Sequence, residues 1–146
     1  MSAGGIVSDD DSIHTIVRGM HRIAVLGIND DRDPDAPAYA IPAMLADSGF
    51  EIVGVNPMVK EALGAATLAT LAELPPGIDV LDVFRRSDAI PAITEELLTL
   101  DPARRPEVVW LQTGIRHDES ATRLAAAGYR VVQDRCLGVY ARRVRR

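Results

Sequence analysis

Four aspartates within six positions, Asp30, Asp31, Asp33 and Asp35, follow the turn-like Gly27-Ile28-Asn29. Carboxylates at this density can hold Mg²⁺, which needs only one or two of them plus water or phosphate oxygens. A solvated acidic loop, partly offset by Arg32, is the simpler reading. Further along, Arg85-Arg86 stand directly before Ser87-Asp88, a pair suited to starting a helix. Two guanidiniums beside helix N–H groups can bind phosphate; ion pairing with nearby acids is the alternative. Cys136 is the one thiol. A guanidinium turned from Arg135 toward its sulfur would favour the reactive thiolate, whereas a packed free cysteine is simply a small hydrophobe. Of the histidines, His14, His21 and His117, only His117 lies near an expected strand end. No Ser-His-Asp or Cys-His spacing accompanies it. No catalytic residue and no metal ligand set is predicted.

These groups need a scaffold. The 146 residues suit one domain, and a chain of this size buries roughly two thirds of its unfolded surface. Hydrophobic residues are 47% and charged residues 25%, the profile of a globular protein. Short apolar runs occur at 23–26, 52–55, 80–84, 108–111 and 131–132. Most lack in-out alternation, as strands do when both faces of a parallel sheet are covered. Helical stretches are expected over 38–48, 67–74, 87–100 and 118–127, with stops at Gly49, Pro75-Pro76, Pro102 and Gly128. The expectation is an α/β fold: a single Rossmann-like, doubly wound domain with a five-stranded, mainly parallel sheet. It divides as 1–19, a tail (disordered through Ser8) and short helix capped by Asp9-Asp10-Asp11-Ser12; 20–140, the domain; and 141–146, a solvated basic tail.

The net charge of -5 and pI ≈ 5.1 argue against nucleic acid as a partner. No apolar run approaches the ~20 residues of a membrane helix, so no membrane partner is expected. With a single cysteine and no leader-like start, a cytoplasmic location is expected. A homodimer is left open.

In doubly wound sheets, ligands bind beyond the carboxyl ends of the strands. The candidates there are Gly27, Ile28 and Asn29 after the first strand, and Val55, Asn56 and Pro57 at the second. Phe84, Arg85 and Arg86 follow the third, Gln112, Gly114 and Ile115 the fourth, and Cys136 the fifth. Asn56-Pro57 reads equally as a ligand contact and as a turn starter. Trp110 is expected in the core.

Taken together, "IAVLG", "VNP", "DVFRRSD", "VVWLQTGI" and "VVQDRCLG" resemble the small stand-alone CoA-binding proteins. Their domain is related to the N-terminal domain of the succinyl-CoA synthetase alpha subunit. The resemblance runs from about Met20 to Tyr140 and implies CoA or an acyl-CoA bound across the strand ends, with no assigned reaction. In that family the first loop usually reads G-x-S-x-x-x-x-R-P-S-Y. Here Asn29 and Ala38 stand at the serine positions, and Tyr39 would be the tyrosine. The aspartates imply one of two outcomes: they face solvent while backbone N–H groups hold phosphate, the expected case, or CoA binding is weakened or lost. The alternatives are a nicotinamide-dependent oxidoreductase, which lacks GxGxxG and the ribose-binding acid here, and a protein-interaction scaffold. A receiver domain would need a lysine after the fifth strand, where Asp134-Arg135-Cys136 stand.

Overall fold

A computed structural model describes residues 4–144. In chain order the elements are β1 (Gly5–Ile6), α1 (Asp10–Gly19), β2 (Arg22–Leu26), α2 (Pro37–Asp47), β3 (Glu51–Val55), β4 (Glu61–Ala62) and β5 (Ala65–Ala66). There follow a 3-10 turn (Leu71–Glu73), β6 (Val80–Val83), a second 3-10 turn (Ser87–Ala89), α3 (Ile90–Thr99) and a third 3-10 turn (Pro102–Arg104). The chain closes with β7 (Val108–Leu111), α4 (Asp118–Ala126), β8 (Arg130–Val132) and α5 (Leu137–Val144). No helix among the described residues is long and apolar enough to cross a membrane.

Six strands form one parallel sheet in the order β1-β8-β7-β6-β2-β3. The doubly wound class is as expected, with one strand more. Its faces follow from strand alternation. Val25, Val80, Val108, Trp110 and Val132 belong to the core that also holds Ile13, Val17, Leu45, Leu137 and Tyr140 from α1, α2 and α5. Ala24, Leu26, Leu81, Val83, Val109, Leu111 and Val131 pack on the other side against Ile90, Leu97 and Leu124 from α3 and α4. Strand order reverses between β2 and β6, which share register from Ile23↔Val80 to Leu26↔Val83.

Three expectations need correction. Residues 4–8, read as part of a disordered start, supply β1. Gly5 donates to Tyr129 O at 3.0 Å and Val7 to Val131 O at 2.8 Å. A two-residue strand is too short to show periodicity. The helix expected over 67–74 is extended through Leu68. Leu68 bridges Val55, donating to Gly54 O and accepting from Asn56 N, both at 2.8 Å. Only Leu71–Glu73 turns, because Pro75-Pro76 ends it. The basic end is not wholly a tail, since α5 runs to Val144 and buries Tyr140 and Ala141. Arg143 lies over the Tyr140 ring, 4.7 Å from its centroid. Residues 1–3, Arg145 and Arg146, included in the expected start and end, lie outside the described residues.

Candidate functional site

The first loop is shaped by a proline inside a helix. Pro42 sits within α2 and has no N–H to give the carbonyl four residues back. That carbonyl, Ala38 O, accepts from Asn29 N at 3.0 Å instead. The turn after β2 is thereby fastened to the first turn of α2. The helix begins at Pro37 with no side-chain cap, leaving the N–H of Ala38 without an intrahelical acceptor. The intervening aspartates turn away. Asp31, Asp33 and Asp35 are exposed. Asp30 accepts from Arg32 Nε at 2.8 Å, which holds its carboxyl below the usual range.

A cleft of about 780 Å³ opens at the reversal point. Asn29, Ala36, Pro37, Ala38 and Ile41 line one side. Phe84, Arg85, Arg86 and Ser87 line the end of β6; Gln112, Thr113, Gly114 and Ile115 that of β7; Cys136 stands beyond β8. Eight of the expected site residues therefore converge: Asn29, Phe84, Arg85, Arg86, Gln112, Gly114, Ile115 and Cys136. None of the four aspartates is on this wall.

The other expected residues lie elsewhere. Gly27 and Ile28 are buried beneath the loop, and Gly27 has φ +89. Val55 is fully buried. Asn56 is a buried brace: its Nδ2 donates to Ile28 O and its Oδ1 accepts from Met58 N, both at 2.9 Å. Its side-chain donor and acceptor are spent on the fold, as the turn-starter reading requires. Pro57 borders a separate recess shared with Arg85. Tyr39 faces another recess, of about 360 Å³, with Asp30, Asp31 and Glu61.

The two arginines differ. Arg86 is exposed and gives Asp88 a 2.6 Å ion pair. Arg85 is half-buried and has no hydrogen bond or ion pair with any described residue. It is thus the available cation on the cleft wall. Arg135 turns from Cys136, donating to Gln133 O and Ser8 O, both at 2.8 Å. His117 is the N-cap of α4, its Nδ1 accepting from Ser120 N. Trp110 is core, donating to Arg135 O at 2.8 Å. Asp134, at φ 55, accepts from Gly114 N at 2.6 Å and ties the last two strand-end loops together.

Asp82 went unassigned as a site residue. It is fully buried in β6 beneath the mouth, and Gln112 Nε2 donates to its Oδ1 at 2.6 Å. Burial pushes its carboxyl up to about 7, and the Gln112 hydrogen bond acts against this. The signal was one acid inside the buried run Val80–Val83. Ala36, Pro37, Ile41, Ser87 and Thr113 also line the cleft; they are small or apolar groups that only the fold brings to the wall.

A family profile described as "CoA binding domain" matches residues 21–142. The Bacillus subtilis (strain 168) protein YneT is 36% identical over 127 residues, covering 87% of this chain and 90% of YneT. A solved Thermus thermophilus structure is 38% identical with a TM-score of 0.83, covering 94% of this chain and 99% of that one. A hypothetical protein from Pyrococcus horikoshii OT3, at 24% identity and TM-score 0.81, covers 94% of this chain and 92% of its own and shares the fold.

Proposed function

The chain belongs to the CoA-binding domain family, and from that premise we propose that it holds CoA or an acyl-CoA in the strand-end cleft, without a catalytic step of its own. The observation that carries this reading is Arg85. It is a half-buried guanidinium with no partner among the described residues, on the wall of the cleft that the uncapped start of α2 also lines. A diphosphate suits both, one as a charge-assisted partner and the other as a source of backbone N–H. The apolar side chains of Ile41, Phe84 and Ile115 suit a pantetheine arm. With Asp31, Asp33 and Asp35 in solvent and Asp30 paired to Arg32, the acidic loop does not oppose the phosphates at the wall. A cytoplasmic setting belongs to the same proposal.

CoA should raise the melting temperature and NAD should not. Ligand at about 100 times its dissociation constant adds about 2.7 kcal/mol, on the order of 5–10 °C for this size. Differential scanning fluorimetry with millimolar CoA or NAD decides it. A shift with NAD alone would favour the oxidoreductase, and no shift with either the scaffold.

The arginines should separate. Removing a charged hydrogen bond costs about 1.5–3 kcal/mol, so Arg85→Ala should weaken CoA roughly tenfold or more by calorimetry. Arg86→Ala should do less, because its guanidinium is already committed to Asp88. Equal losses, or none at Arg85, would contradict this assignment.

A further inference from the structure

We infer that Asp82 is a positioning residue: it fixes the Gln112 carboxamide so that its oxygen is presented to the cleft as an acceptor for an N–H or O–H group of the ligand. The inference rests on the CoA reading for the identity of that ligand. Its geometry stands on three observations. Gln112 is 4% exposed and lines the cleft, so the little surface it has opens there. Its Nε2 is held at 2.6 Å by Asp82 Oδ1, while its Oε1 has no partner among the described residues. Asp82 Oδ2 is buried with no hydrogen-bond partner among the described residues, so Gln112 is the group this carboxyl holds.

The chemistry follows from what a carboxyl can do in each state. Ionised, it only accepts. It then selects the NH₂ end of Gln112 and leaves the oxygen for the ligand. Protonated, it can also donate, and the carboxamide is free to turn its NH₂ toward the cleft. A ligand donor bound at Oε1 therefore favours ionised Asp82, and by linkage its binding releases a proton. CoA carries such donors in its pantetheine amides and its adenine amine. Affinity should fall as pH drops through the range where Asp82 takes up a proton, about 7. The titratable groups on the helices covering that face are Asp10, Asp11, His14 and Arg18 on α1, Tyr39 and Asp47 on α2, and Tyr140, Arg142 and Arg143 on α5, with Cys136 ahead of α5. From β7 the residue opposite is Trp110, and from β2 it is Val25. None of these contributes to the displaced Asp82 value, whose causes are burial first and Gln112 second.

The test is the CoA dissociation constant from pH 6 to 8 for the wild type, Asp82→Asn and Gln112→Met. The 3′-phosphate of CoA also titrates near 6, but it does so equally for all three proteins and cancels in their ratios. The wild-type to Asp82→Asn affinity ratio should rise roughly threefold or more between pH 6 and 8, the worth of one neutral hydrogen bond. A flat ratio, or one falling with pH, overturns the inference. Gln112→Met should remove the pH-dependent part while the protein still binds. Pantetheine and adenosine 3′,5′-bisphosphate, titrated separately against the wild type and Asp82→Asn, assign the donor to one half of the molecule; an affinity ratio independent of pH with both would overturn the inference. The carboxyl ¹³C shift of Asp82 and the side-chain ¹⁵N shift of Gln112 in the ligand-free protein provide a separate readout. They should titrate together. If CoA binds none of the proteins at any pH, the CoA reading fails, and this co-titration still decides the pair: independent titration overturns it.

Discussion

Replacing Asp82 by asparagine should stabilise the protein at neutral pH and above. The sign follows from burial. The folded carboxyl is raised to about 7 from an ordinary 3.8. Between these values the folded chain holds a proton that the unfolded chain has shed, so stability falls as pH rises through the window. Below it, both states are protonated and there is no penalty. Above about 7 the full cost is present, about 4 kcal/mol at about 1.4 kcal/mol per pH unit. Asparagine keeps an acceptor for Gln112 Nε2 and never ionises, although its own NH₂ lacks a partner where Oδ2 now stands. The net gain should be about 2–4 kcal/mol at pH 8 and should shrink toward zero near pH 4. Urea unfolding of both proteins at pH 5 and pH 8 measures it. An asparagine variant that is less stable at both would mean that the carboxyl is braced by something besides Gln112.

Gly27→Ala should cost about 2–5 kcal/mol. Two effects combine. Gly27 has φ +89, a left-handed backbone that an L side chain disfavours by about 1–2 kcal/mol. A Cβ there would also sit 2.5 Å from Phe84 O, a backbone atom that cannot move without disturbing β6, and such overpacking costs about 1–3 kcal/mol. Gly114→Ala is the control: φ is +82, but nothing lies within 4 Å of its Cβ. It should lose only the backbone part. If both alanines lower the urea midpoint equally, the close approach of the two loops is not what makes glycine necessary.

The chain announced its class because the parallel strands are buried on both faces, so 23–26 and 108–111, and 80–83 apart from Asp82, are apolar without alternation. Position along the chain then placed Asn29, Arg85, Gln112 and Cys136 at strand ends, and the fold brought them to one cleft. What could not be read was direction. Asn56 and Asn29 follow consecutive strands, yet one is a brace and the other a wall, a difference made by Ile28 O and Met58 N. Arg85 and Arg86 are neighbours of the same type, separated only by where Asp88 sits. Tyr39 points to the acidic recess rather than the cleft. Ala38 mattered through a carbonyl released by Pro42, a consequence of two residues four apart in a helix that was legible as a whole but not at that atom. The extension at Leu68 depended on pairing with Val55, which no local preference of Thr67–Leu68 encodes.

The first strand has a consequence for how the molecule is made. Gly5 pairs with Arg130 and Ile6 with Val131, and Ser8 O waits for Arg135. During synthesis β1 leaves the ribosome long before its partner has been translated, and every other strand of the sheet emerges between them. The N-terminal residues therefore spend most of translation without their native neighbours, and the β1–β8 zipper, a contact of very long sequence separation, is set to close last. Emergence of β8, rather than of the strand ends up to Ile115, is the event that completes this sheet.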